Sequence, residues 1–256
     1  LSRGYGRDSI ATLEVTPKST PAEVGDEPAL VQRATGAPVV VGAKRVNAAQ
    51  ILLARYPQTQ IVVCDDGLQH YALHRDLEIC VFDNRGCGNG WLLPAGPLRE
   101  PWPRLAMAQA GQSDGRLLVL HTGTQPAFGG YRATRTFAPA GMLANGTQIE
   151  LNSLISERGK PLFAVAGIAQ PQAFFDMLDA YGIPLAGTLA LPDHYDFDSL
   201  LRISDGTYRL ICTEKDAQKL WQVAPDSIAV ALVQTAEAAF WTALDKSIDS
   251  HLSGQP

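Results

Sequence analysis

Two adjacent carboxylates, Asp65 and Asp66, end the run Gln60-Ile61-Val62-Val63-Cys64 and lead into Gly67. The run is apolar without a break from Ile61, which predicts a strand buried on both faces, as at the centre of a parallel sheet. Ligands in an open α/β sheet gather outside the carboxyl ends of the strands, so this acid pair stands where a ligand is expected. Two carboxylates there suit Mg²⁺, which takes one or two acids from the protein and leaves its other positions to water and phosphate. The same residues are also compatible with a plain cap on the turn into Gly67.

Other groups with chemical potential are spread along the chain. Asp26 and Glu27 follow Gly25 and precede Pro28, a pattern that opens a helix with Asp26 as its N-cap and Gly36 as its stop. Lys44 and Arg45 begin the next amphipathic segment, where a cation opposes the helix dipole; an anion held nearby would explain them, as would solvent exposure. His70 and His74 have helical metal-pair spacing, but the segment runs straight into a strand and lacks the glutamate of a zinc motif, so no zinc site is read. Gly86, Gly88 and Gly90 form a loop resembling a phosphate cradle, and Arg99 and Glu100 close it towards the expected nucleotide side. No Gly-Lys-Ser or Gly-Lys-Thr follows those glycines, so the loop is not a Walker A.

The series Cys64-Asp65-Asp66-Gly67-Leu68-Gln69-His70, then Arg75-Asp76-Leu77-Glu78-Ile79, then Gly88-Asn89-Gly90-Trp91-Leu92-Leu93-Pro94-Ala95-Gly96-Pro97-Leu98-Arg99-Glu100-Pro101 closely resembles the tetraacyldisaccharide 4′-kinases, the lipid A 4′-kinases of Gram-negative bacteria. The likeness runs from Leu1-Ser2-Arg3-Gly4-Tyr5-Gly6 to Thr213-Glu214-Lys215-Asp216. It implies a P-loop-type kinase that uses ATP and Mg²⁺ to phosphorylate an acylated glucosamine disaccharide at the cytoplasmic face of the inner membrane, as a peripheral protein. By the same resemblance Asp26 takes the hydroxyl proton. His194, in Leu191-Pro192-Asp193-His194-Tyr195-Asp196-Phe197, pairs with Asp26 from another lobe. Asp65 and Asp66 hold Mg²⁺ with Glu27 beside them, and Arg45 belongs to the site. Gln69, His70 and Arg99 are carried over to the acceptor side by motif position, with Glu100 at the nucleotide.

The elements that must position these groups read as an α/β protein. A P-loop-NTPase-like parallel-sheet lobe occupies residues 1–125, a bridging segment with little periodicity 126–160, and a smaller α/β lobe 161–256. Strands are expected at Thr12–Val15, Pro38–Gly42, Ile61–Cys64, Leu77–Phe82, Leu117–Leu120, 161–168, Leu185–Leu191, Tyr208–Thr213 and Ile228–Val233. Ile61–Cys64 and Leu77–Phe82 are expected as sheet neighbours. Helices are expected from the Asp26 region to Ala34, at Ala43–Tyr56, Pro171–Tyr181 and Ala236–Leu252.

Composition narrows the class. A net charge of −5 leaves no basic excess for nucleic acid. Four dispersed cysteines without a Cys-x-x-Cys pair read as buried thiols in a reducing compartment. No apolar run reaches the roughly 18–20 residues that span a bilayer, and no signal peptide is visible. The chain opens on leucine and contains no Gly-x-x-x-x-Gly-Lys-Ser/Thr. The expectation is therefore a kinase lacking its first βα unit and membrane anchor, inactive alone. Two rival readings are a non-catalytic lipid- or partner-binding α/β protein and a metal-dependent phosphohydrolase using Asp26, Asp65 and Asp66.

Overall fold

The computed structural model describes residues 1–103, 117–156, 159–193, 195, 197 and 206–253. The chain forms two compact units that interleave in sequence, Leu1–Leu73 with Phe137–Leu232, and His74–Thr136 with Val233–Pro256. This departs from the linear division expected at 125 and 160. The expected bridging segment carries structure of its own, three strands and a helix, and its start belongs to one unit while its end belongs to the other. Short strands rich in Gly, Thr and Ala hide the period-2 alternation that would have announced them.

The first unit contains a six-stranded sheet, larger than the small one expected. Its strands are β6 (Ala140–Met142), β7 (Gln148–Glu150), β8 (Leu162–Ala166), β9 (Leu185–Ala190), β10 (Arg209–Thr213) and β11 (Ile228–Val230), in the lateral order β7-β6-β11-β10-β8-β9. From β11 to β9 the pairing is parallel, and β6 and β7 add an antiparallel edge. β8 and β10 lie inside this sheet, and their near-continuous apolar runs follow from having both faces covered. Ala164, Ala166, Ile211 and Ile228 pack with Leu151, Leu154, Phe174 and Leu178 on one face. Val165, Leu210 and Cys212 pack with Phe197, Ala217 and Leu220 on the other, as a side-chain period of two requires.

The helices of this unit follow local signals. α5 (Pro171–Tyr181) starts with proline in its first turn and stops at Gly182, whose φ of 88° is the left-handed conformation that ends helices; its bounds match the expected ones. α1 (Pro21–Val24), α2 (Asp26–Thr35), α3 (Arg45–Arg55), α4 (Leu151–Ser156) and α6 (Glu214–Val223) are the others. The antiparallel pair β1 (Leu13–Val15) and β2 (Val39–Val41) completes the N-terminal part.

The stretch 61–64 forms no strand. Ile61 is 53% and Val63 76% exposed, against the expectation of burial on both faces. Its observed backbone partner is Leu1, which donates to Val63 O at 2.6 Å and accepts from Asp65 N at 2.8 Å. Ser2 in turn bridges to Val41. Hydrogen bonding at one end only cannot bury an apolar run, which is why the strand expectation fails here.

The second unit holds β3 (Glu78–Phe82), β4 (Leu117–His121), β5 (Tyr131–Phe137) and β12 (Leu232–Ala236), in the order β12-β5-β4-β3, and α7 (Ala238–Leu252). β3 lies at the edge of this sheet, parallel to β4. It is therefore not the sheet neighbour of 61–64. The expected strand Ile228–Val233 divides at Ala231 into β11 and β12, one in each sheet. Phe240 of α7 packs with Leu118, Leu120 and Ala133.

The six-stranded sheet depends on α5 covering one face. Phe174 is fully buried there, edge-on to Phe137. Phe174→Ala should cost about 3–5 kcal/mol, the range for a buried phenylalanine whose cavity collapses only partly. Denaturant titration of the two proteins reads that loss as a fall in midpoint at unchanged slope.

Candidate active site

Asp26 occupies the first residue of α2, with Gly25, not Asp26, at the N-cap. Gly25 has φ of 94°, and a Cβ there would stand 3.0 Å from Gly4 Cα and from Tyr5 O. Only glycine allows this backbone-to-backbone approach, and it seats the Leu1–Arg7 loop against the start of α2. Asp26 and Glu27 thus lie in the first turn, where the helix dipole favours anions.

The same loop leads to the second acid pair. Ser2 Oγ donates to Asp65 Oδ2 at 3.0 Å and accepts from Gly4 N at 3.4 Å. One loop therefore reaches Asp65 through Ser2 and the start of α2 through Gly4 and Tyr5. Asp66 adopts φ of 46°, a conformation aspartate tolerates better than most residues. The turn that follows is closed by His70 N donating to Gly67 O at 3.0 Å, and Gln69 lies within it.

Arg45 is not a solvated surface charge: it is 2% exposed. Its Nη1 donates to Gly42 O at 2.7 Å and its Nη2 to Asp65 O at 3.3 Å, which fastens α3 to the acid-bearing turn. Its Nε is buried without an acceptor. A buried donor left unsatisfied costs about 1–3 kcal/mol, and an anion at this guanidinium would remove the cost. Burial holds the His70 imidazole below its ordinary range, and the Arg45 charge pushes the same way against Asp66.

Facing the acids of α2 is α6. Thr213 caps it, accepting from Asp216 N, while Asp216 Oδ2 accepts from Thr213 Oγ1 at 2.7 Å and from Gly167 N at 3.1 Å. That buried carboxylate ties the first turn of α6 to the loop after β8. One turn apart on this helix, Lys219 Nζ stands 3.3 Å from Asp26 Oδ2, and Lys215 Nζ stands 3.4 Å from Glu27 Oε1 and 3.3 Å from Asp193 Oδ1. Burial lowers the Lys215 ammonium, but Glu27 and Asp193 outweigh it and leave the group raised.

These contacts sort the expected site residues. Asp26, Glu27, Arg45, Asp65, Asp66, Gln69 and His70 all belong to the first unit. Glu27 is turned to Lys215 and is not gathered with Asp65 and Asp66; among the described residues no three His, Cys, Asp or Glu side chains stand together as a metal cluster. The resemblance had placed Glu27 beside Asp65 and Asp66; in this structure its side chain pairs with Lys215 instead. Asp65 and Asp66 remain a two-carboxylate set, which fits a Mg²⁺ ion otherwise held by water and phosphate. His194 lies outside the described residues, but its neighbour Asp193 shares Lys215 with Glu27. Arg99 and Glu100 stand in the second unit, after the loop pinned by the Leu92–Leu98 bridge. Sequence reasoning missed Ser2, Lys215, Lys219 and Asp216. The Thr213-x-x-Asp216 capping spacing and the i, i+4 lysines were the available signals.

A family model described as LpxK, tetraacyldisaccharide-1-P 4′-kinase, matches residues 1–253. The tetraacyldisaccharide 4′-kinase of Polaromonas naphthalenivorans is 53% identical over 262 residues, covering 100% of this chain and 73% of that protein. That of Acidovorax ebreus is 51% identical over 252 residues, covering 98% and 71%. A crystal structure of LpxK from Aquifex aeolicus in complex with ATP shares the fold, with a TM-score of 0.74 at 24% identity over 96% of this chain and 78% of that one.

Burial raises the Asp216 carboxyl above its ordinary range, against the opposing bonds from Thr213 and Gly167. The folded protein therefore takes up this proton at higher pH than the unfolded chain does. Asp216 adds stability below the ordinary carboxylate range and loses it as pH rises through the raised value. Denaturant midpoints of wild type and Asp216→Asn at neutral and mildly acidic pH should show wild type gaining on the variant as pH falls. A gap that stays constant or moves the other way would exclude this assignment.

Proposed function

The chain belongs to the tetraacyldisaccharide 4′-kinase family, and from that premise we propose that it transfers the γ-phosphoryl group of ATP to the 4′-hydroxyl of a tetraacyldisaccharide 1-phosphate, a step of lipid A biosynthesis. The observation that carries the reading to this chain is the α6 network, which joins the acids opening α2 to Asp193. Glu27 and Asp193, distant in sequence, thereby share one ammonium group, that of Lys215.

Phosphoryl transfer asks the protein for positioning and charge stabilisation. Asp26 accepts the 4′-hydroxyl proton as the O4′–P bond forms and the bond to the ADP leaving group breaks. His194 orients that carboxylate. Asp65 and Asp66 would hold Mg²⁺, which when bound offsets phosphate charge, and Ser2 fixes the Asp65 carboxylate for the purpose. Arg45, with an unpartnered Nε, suits a phosphate oxygen. Gln69 and His70, in the turn beside it, suit the acceptor, and Arg99 and Glu100 the substrate or nucleotide. An acylated acceptor implies work at the surface of a membrane, and we assign the protein to the cytoplasmic face of the inner membrane as a peripheral enzyme. Among the described residues no helix is long and apolar enough to cross a bilayer.

The test is phosphate transfer from ATP to a tetraacyldisaccharide 1-phosphate by the full-length protein with Mg²⁺. Asp26→Asn should lower kcat by about 10²–10⁴-fold, the usual worth of a general base. Absence of transfer by the wild type would overturn the reading, and an undiminished Asp26→Asn would remove Asp26 from the base role.

A further inference from the structure

Lys219 and Asp26 form an ion pair whose side chains are 20% and 8% exposed. Taking two charges this far out of water costs free energy that their attraction does not reliably return, and apolar replacement of such pairs is often neutral or stabilising. Stability is therefore a poor reason for the pair. Removing the ammonium alone is another matter, because it takes a cation 3.3 Å away from a largely buried carboxylate.

The surroundings make the lysine a fixed feature. Asp216 and Thr213 lock the first turn of α6, and Gly167 anchors that lock to the sheet; a Cβ on Gly167 would lie 3.2 Å from Asp216 Oδ1 and 3.3 Å from Pro192 O. Lys215 and Lys219 project from this helix one turn apart. Among the charged groups they meet are Asp26, Glu27 and Asp193, three acids from two separate segments. Leu220, the next residue, is fully buried in the core on the sheet side, which fixes the rotation of the helix.

We infer that Lys219 and Lys215 are positioning residues for the phosphoryl transfer: Lys219 holds the Asp26 carboxylate in its reactive orientation, and Lys215 sets the distance between α2 and Asp193. The inference rests on the kinase reading given above. Neither lysine touches the transferred group in this account; both act through acids. Lys219 has the larger share, because its partner is the base and is buried, whereas the partners of Lys215 are more exposed and more screened.

The experiment compares wild type, Lys219→Met, Lys219→Arg and Lys215→Gln as full-length proteins, measuring kcat, KM for ATP and melting temperature. Lys219→Met should lower kcat by about 10- to 100-fold, the scale of a misplaced reacting group, with KM for ATP unchanged. Lys219→Arg, which keeps the charge, should recover most of kcat, and Lys215→Gln should fall between it and Lys219→Met. A merely structural role would lower melting temperature and folded fraction without this split between kcat and KM. Wild-type kcat in Lys219→Met, equal losses in the Met and Arg variants, or failure of Lys219→Met to fold while Lys219→Arg folds and works normally would each overturn the inference. An inactive wild type would instead remove the kinase reading, and this inference with it.

Discussion

The organisation of the site depends on one buried carboxylate. Asp216 accepts from the backbone of Gly167 and from the Thr213 hydroxyl, and so joins the C-terminal ends of β8 and β10 to the first turn of α6. An acid buried this deeply is costly unless its lone pairs are occupied. Here the occupying donors come from two strand ends, so the cost of burial is met only in one geometry. Everything α6 presents inherits that precision, including the two lysines that gather Asp26, Glu27 and Asp193.

The second constraint is close backbone approach. Gly4 and Gly25 meet with no room for a side chain on either: a Cβ on Gly4 would fall 2.5 Å from Val24 O. That contact puts Ser2 within reach of Asp65 while the same loop abuts Asp26. The two acid pairs are thus set by different physics, one by ion pairing to a helix and the other by a hydroxyl on a tightly seated loop. Arg45 joins the second pair through the carbonyl oxygen of Asp65.

Local signals were legible in the sequence and distant ones were not. Proline and glycine bracket α5, and the apolar runs of β8 and β10 announce strands covered on both faces, because each signal acts within a few residues. The acids Asp26, Asp65 and Asp66 were singled out largely through the family likeness of the motifs around them. The stretch 61–64 misled, since an apolar run carries no information about whether a partner lies beside it. Strands β5 to β7 were hidden by small and polar residues that do not alternate. Glu27 was set beside the metal acids by the family likeness, whereas the lysine it meets comes from a helix far along the chain. No periodicity encodes such a partner, so the α6 network could only be found in three dimensions.

The interleaving of the two units also has a consequence for synthesis. Residues 1–73 complete their unit only with residues 137–232, and the intervening 74–136 belong elsewhere. The contact between Asp26 and Lys219 closes a separation of 193 residues. Chains emerge from the ribosome at roughly 5–20 residues per second, so the acid waits on the order of ten seconds or more for its ammonium. During that interval the N-terminal segment has its local helices but not the sheet that α6 caps. Long-range closure of this kind also slows folding itself. The Asp26–Lys219 contact is therefore among the last features a newborn molecule acquires, and the half-made protein is one that a chaperone would meet with that acid not yet joined to α6.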